Sequence, residues 1–189
     1  MQSTAHYFIA LPLPSNVKDM LADQQAYFKK QMPYKQWTYR EDFHITVKFL
    51  GAVSQEKMKL LLAELEVIKQ SDPFSITIKG TGTFGKEEQP RVLWARVETS
   101  ESLENLYQNV EVAVEQAGFT KESRPFRPHI TLGKKWAGPP LSTVQQLVTS
   151  YHTAIHAHVH VQEIVIYKIH PAKQPKYEVM HRFNLNGGV

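Results

Sequence analysis

His44-Ile45-Thr46-Val47 and His129-Ile130-Thr131-Leu132 are one phrase written twice in a chain of 189 residues. On a β-strand, side chains two apart share a face, so each copy sets an imidazole beside a hydroxyl and turns its isoleucine the other way. A lone His-x-Thr means little in a chain with nine histidines. The four-residue form arises by chance on the order of 0.01 times, so two copies in matching surroundings are a signal.

Working outward, each copy sits in the same order of elements: strand, helix, strand carrying His-Ile-Thr, helix, strand. In the first half, His6 to Pro12 reads as a buried strand, and Ser15 caps an expected helix from Asn16 to about Lys30. A polar, aromatic loop with Pro33, Trp37 and Tyr39 leads to a strand from Phe43 to Leu50, stopped by Gly51. Ser54 opens a second helix through Met58, Leu61, Leu62, Leu65 and Ile68, and Phe74 to Ile78 returns as a strand. A glycine-rich turn is expected at Gly80, Gly82 and Gly85.

The second half reads as strand Arg91 to Val97, helix Ser102 to Gln116 with Gly118 as its stop, and strand His129 to Gly133. A short helix over Thr143 to Ser150, a long strand region from His156 to Ile169 and a last strand near Tyr177 to Phe183 complete it. No low-complexity linker divides the halves. The repeat therefore predicts two similar lobes facing one another, with the motif pair converging on a single point.

Composition narrows the chemistry. There is no cysteine, which removes disulfide frameworks, thiolate nucleophiles and zinc-cysteine or iron–sulfur sites. A 42% hydrophobic content suits one core or two small lobes sharing an interface. No apolar run approaches a membrane span and the N-terminus lacks signal-peptide flanks, so a cytoplasmic protein with no membrane partner is expected. The net charge of +4 is compatible with polyanionic partners.

Two imidazoles near neutrality can divide the labour of phosphoester exchange, one neutral and one protonated. One takes the proton of attacking water and the other protonates the departing ribose oxygen, each transfer contributing about 10²–10⁴-fold in rate. Thr46 and Thr131 would donate hydrogen bonds to the non-bridging oxygens. Lys48 follows on the face of His44 and Thr46, Arg127 lies two residues before His129, and Lys134 follows Gly133. Lys48 and Arg127 are the auxiliary basic candidates.

Other clusters compete. His156-Ala157-His158-Val159-His160 places three imidazoles on one strand face, as a metal site would, yet the same alternation marks a strand with one solvated face. No partnered carboxylate motif accompanies it, and no metal is expected. Phe84, Trp94, Phe43 and Tyr39 could stack a nucleobase, although most such residues build cores.

Beyond the two motifs, Phe8-Ile9-Ala10-Leu11-Pro12, Lys48-Phe49-Leu50-Gly51, Arg91-Val92-Leu93-Trp94, Gly118-Phe119 and Phe126-Arg127-Pro128-His129 occur in order. With them the chain resembles, over nearly its whole length, the LigT-like 2H phosphoesterases, bacterial RNA 2′,3′-cyclic phosphodiesterases also described as 2′-5′ RNA ligases. The resemblance implies a bilobal α+β fold with a pseudo-two-fold, two antiparallel sheets forming a central cleft with helices outside, in a single domain spanning 1–189. It implies metal-independent hydrolysis to a 2′-phosphate end without a cofactor, catalytic roles for His44 and His129, and phosphate binding by Thr46 and Thr131. By the same analogy His44 protonates O3′ and His129 activates water, although the repeat alone leaves the two roles interchangeable. Gly133-Lys134 departs from the small residue and arginine often found there. The implied partners are RNA ends or small cyclic nucleotides, with no obligate protein partner and a monomer expected. Alternatives are a 2′-5′ RNA ligase, a 2′-5′ oligonucleotide phosphodiesterase, a non-catalytic RNA-end-binding protein and a metallohydrolase built on His156 to His160.

Overall fold

A computed structural model describes residues 5–150 and 154–186. Its elements run β1 (His6–Pro12), α1 (Ser15–Lys29), β2 (Tyr34–Trp37), β3 (His44–Ala52), α2 (Gln55–Leu65), β4 (Phe74–Gly85), β5 (Pro90–Val97), α3 (Glu101–Gln116), β6 (His129–Trp136), α4 (Val144–Ser150), β7 (His156–Val161), β8 (Glu163–Ile169) and β9 (Tyr177–Asn184). Two antiparallel sheets result, in the orders β3-β1-β8-β9 and β2-β6-β5-β4-β7. Aligning the motif strands matches β3 with β6, β1 with β5, β8 with β4 and β9 with β7, leaving β2 as the one unmatched strand among the described residues.

The match extends to a defect. Ile9 pairs with Lys48 and Ala10 with Thr46, so Val47 is an extra residue in β3. Leu93 pairs with Gly133 and Trp94 with Thr131, so Leu132 is an extra residue in β6. Each motif strand thus carries a β-bulge immediately after its threonine, where a strand bends and its side-chain alternation shifts by one.

The apolar faces of both sheets and the helices share one core. Ile9, Leu11, Ile45, Leu93, Ile130 and Leu132 from the strands meet Phe28 of α1, Leu61 of α2 and Val110 of α3. The opposite face of the first sheet holds a separate small cluster of Phe8, Ala10, Val165 and Tyr167. Helices cross between halves: α1 follows β1 yet packs on β6, and α3 follows β5 yet packs on β3.

Several boundaries differ from the sequence reading, each for a local reason. Pro14, not Ser15, occupies the cap of α1, and the Ser15 hydroxyl instead accepts from Arg40 Nη2 at 2.6 Å. Ser54 does cap α2, accepting from the Lys57 amide, and Ser100 caps α3. The expected glycine turn is continuous strand: β4 runs through Gly80 and Gly82 to Gly85. Gly82 serves close approach, since a Cβ there would lie 2.4 Å from Cζ2 of Trp94. Tyr34 to Trp37, read as loop, adds an edge strand. The run from His156 to Ile169 breaks at Gln162 into β7 and β8, which belong to different sheets.

Candidate active site

His44 opens β3 and His129 opens β6. Both rings are fixed the same way: Nδ1–H of His44 donates to the Asp42 carbonyl at 2.6 Å, and Nδ1–H of His129 to the Arg127 carbonyl at 2.7 Å. A main-chain carbonyl two residues upstream therefore selects the tautomer in each half and leaves Nε2 as the unprotonated nitrogen of the neutral ring. Nε2 of His44 lies 3.0 Å from Thr46 Oγ1, so the hydroxyl donates to it.

Each imidazole stands in an aromatic setting. His44 contacts Phe8 at 4.7 Å, Tyr177 at 5.1 Å and Tyr167 at 5.9 Å between ring centroids. His129 meets Phe84 edge-on at 5.1 Å and Trp94 at 6.2 Å. Burial of the His44 ring pushes its pKa down to about 4; the Asp42 carbonyl opposes this, and the charges of His129, Lys134 and Lys18 add to it. Burial also pushes the Tyr167 phenol up to about 12. His44 is accordingly a neutral imidazole in the free protein.

Thr46, Lys48, Arg127 and His129 line one cavity of about 690 Å³, together with Phe49, Phe84 and other side chains. His44 joins it through Thr46, and its strand β3 contacts β6, which carries His129. Thr131, half-buried, shares the strand face of His129 but is not in that cavity's lining. Arg127 stands at the rim, with no ion pair among the described residues.

Lys48 departs from expectation. The bulge at Val47 moves it off the His44–Thr46 face, and Phe49 becomes the exposed residue instead. Lys48 is buried, its Nζ 2.9 Å from Oε1 of Glu111 and donating to the Thr120 carbonyl at 2.9 Å. Its charge is committed to Glu111, so it is not a free cation for phosphate.

Beside His44, at its neighbours Asp42 and Tyr177, a second cavity of about 250 Å³ is lined also by Lys35, Lys134, Lys176, Trp37 and Tyr39 among others. Its carboxylate, Asp42, is buried and accepts the Lys176 amide at 2.9 and 3.0 Å and the Tyr177 amide at 3.2 Å. Burial and the neighbouring charges of Lys176 and Lys135 hold the Lys134 ammonium below its usual range. Sequence reasoning left the role of Lys134 open and did not single out Asp42, Tyr167 or Tyr177. The tyrosines reach His44 by strand pairings that span most of the chain, for which no local signal exists.

Of the stacking candidates, Phe84 and Trp94 flank His129, Tyr39 rims the lysine-lined cavity, and Phe43 is core. His156 and His160 are exposed on β7, and His158 and His160 sit within 3.3 and 3.5 Å of Thr77 and Ser75 hydroxyls. Among the described residues, no three His, Asp or Glu side chains are grouped to hold a metal ion.

A family model, the 2′-5′ RNA ligase superfamily, matches residues 18–172. A Geobacillus stearothermophilus protein named RNA 2′,3′-cyclic phosphodiesterase is 38% identical over 97% of this chain, which spans 58% of that relative's length. A Bacillus subtilis protein of the same name is 33% identical over 96% of this chain and 97% of its own. Among solved structures, E. coli LigT complexed with 3′-AMP superposes with a TM-score of 0.76 at 24% identity, covering 96% of this chain and 98% of that one.

Proposed function

Since the chain belongs to the 2′-5′ RNA ligase superfamily, we propose that it opens 2′,3′-cyclic phosphates at RNA ends, or on nucleosides, to 2′-phosphomonoesters by two-histidine acid/base catalysis. One observation carries the reading: two imidazoles, each held by a carbonyl two residues upstream, stand on the equivalent strands β3 and β6, which contact one another, with Thr46 and His129 lining the same cavity. One Nε2 takes a proton from water as its oxygen attacks phosphorus. The other gives a proton to O3′ as the P–O3′ bond breaks, and the phosphate remains on O2′.

An anion between the rings favours the protonated form of whichever imidazole it touches, so His44 acquires its proton together with the substrate. The Thr46 hydroxyl, resting on Nε2 in the free protein, turns to a non-bridging oxygen, and Thr131 does the same from the other strand. Arg127 approaches from the rim. The lysine-lined cavity beside His44 supports an RNA chain rather than a lone nucleotide as substrate, because three lysines and one carboxylate line it and that carboxylate's oxygens already accept main-chain amides.

The experiment is hydrolysis of an RNA oligonucleotide ending in a 2′,3′-cyclic phosphate by EDTA-treated protein, with His44→Ala and His129→Ala alongside. Conversion to a 2′-phosphate end, lost in both variants, is the expected result. An unopened ring, or activity restored only by added metal, overturns the proposal.

A further inference from the structure

Two buried polar side chains tie each motif strand to the opposite half. Gln25 on α1 and Glu111 on α3 both lie ten residues beyond the first residue of their helices, Ser15 and Glu101, and are 4% and 2% exposed. Gln25 Nε2 donates to the carbonyls of Thr38 at 2.7 Å and Leu132 at 2.8 Å. Leu132 is the bulge residue of β6, and Thr38 lies on the approach to His44. Glu111 takes the Lys48 ammonium and, at 3.0 Å, the Glu122 amide. Lys48 adjoins the bulge residue of β3, and Glu122 lies on the approach to His129.

Each helix residue therefore joins the segment leading to one histidine to the bulge beside the other. Apolar side chains would fill these helix positions with less desolvation, since a buried amide or ion pair is costly unless fully satisfied. Gln25 and Glu111 line neither cavity beside the histidines, and Lys48, which borders one of them, has its ammonium turned to Glu111 and the Thr120 carbonyl. We propose that Gln25 and the Glu111–Lys48 pair are positioning residues that set the spacing between the two imidazoles. The inference rests on the two-imidazole reading above, and it predicts an effect only on reactions that need both rings at once.

The test compares two substrates. Opening a ribose cyclic phosphate expels an alkoxide and needs acid and base together; a p-nitrophenyl phosphodiester expels a stable phenolate and needs no acid. Gln25→Leu and the double variant Lys48→Met/Glu111→Leu, which exchanges the ion pair for apolar side chains, are assayed on both. Expected is a kcat on the cyclic phosphate lower by about 10- to 100-fold, the scale for displacement of a catalytic group by an ångström. KM is expected within about twofold of wild type, because each strand keeps its own phosphate ligands, and turnover of the p-nitrophenyl ester stays within about threefold. If both variants lose the two activities in equal measure, or lose neither, the residues are merely structural and the inference fails. A wild-type protein that opens no cyclic phosphate removes the two-imidazole reading and this inference with it. Should one variant not fold, the other decides, because the two ties act on different strands.

Discussion

Asp42 holds His44 with its main chain and the β9 side of the cleft with its side chain. The carbonyl accepts the imidazole Nδ1–H at 2.6 Å, while the carboxylate accepts the amides of Lys176 and Tyr177, whose ring is 5.1 Å from His44. One residue thus sets both the tautomer of the imidazole and the wall against which it stands.

Replacing Asp42 by alanine leaves two part-buried amides without their acceptor. Hydrogen bonds to a charged group contribute about 1.5–3 kcal/mol each, so Asp42→Ala should lower unfolding stability by about 2–4 kcal/mol in urea titration. Asp42→Asn keeps an acceptor and should lose less. An unchanged midpoint for Asp42→Ala would show that the carboxylate holds nothing.

The pH dependence follows from the depressed pKa of His44. The acidic limb of kcat/KM, which reports the free enzyme, should fall near pH 4. Because the unfolded chain binds a proton at His44 near pH 6.5 and the folded chain only near 4, stability should rise with pH across that window and flatten above it. NMR titration of the ring locates the value directly, and saturating phosphate should raise it. A ring titrating at its ordinary value in the free protein contradicts the burial argument.

Thr46→Val and Thr131→Val each remove one hydroxyl while keeping a β-branched shape. A donor aimed at developing charge is worth up to about 10²–10³-fold, so kcat should fall by at least about tenfold in each, and KM should change far less. Equal activity in Thr131→Val would restrict phosphate binding to the first strand.

Lys35→Ala and Lys176→Ala should weaken binding of a cyclic-phosphate-ended oligonucleotide and leave a cyclic mononucleotide nearly unaffected. The slope of log affinity against log salt should become shallower by about one for each phosphate that no longer has a lysine beside it. Identical slopes in variant and wild type would remove the lysine-lined cavity from the RNA path.

Which parts of this were legible in the sequence has a physical logic. The motif strands, the helices and the halves were readable because period-2 and period-3.6 patterns are local. The faces after Thr46 and Thr131 were not, because a bulge is defined by two strands together and no single run of residues records it. Lys48 counted as a cleft residue by simple alternation, and the extra residue at Val47 made it a core ion-pair residue. Gly80 and Gly82 looked like a turn because glycine frees the backbone, yet Gly82 is there to admit the Trp94 ring. Asp42, an ordinary loop acid in the sequence, has its role defined by amides more than a hundred residues downstream.

The paired bulges also decide what kind of change the molecule can absorb. Deleting Val47 would leave the rest of β3 on its present faces, because the pairs Thr46–Ala10 and Lys48–Ile9 would become consecutive, and the strand would lose only its local bend. Pairing β3 regularly with Val47 kept would instead slip everything beyond it by one residue: the ammonium of Lys48 would be thrown onto the open surface, Phe49 would be driven inward and Glu111 would be left without a counter-charge. Each motif strand can therefore lose its extra residue and keep its faces, but it cannot pair that residue in regular register without exchanging inside for outside.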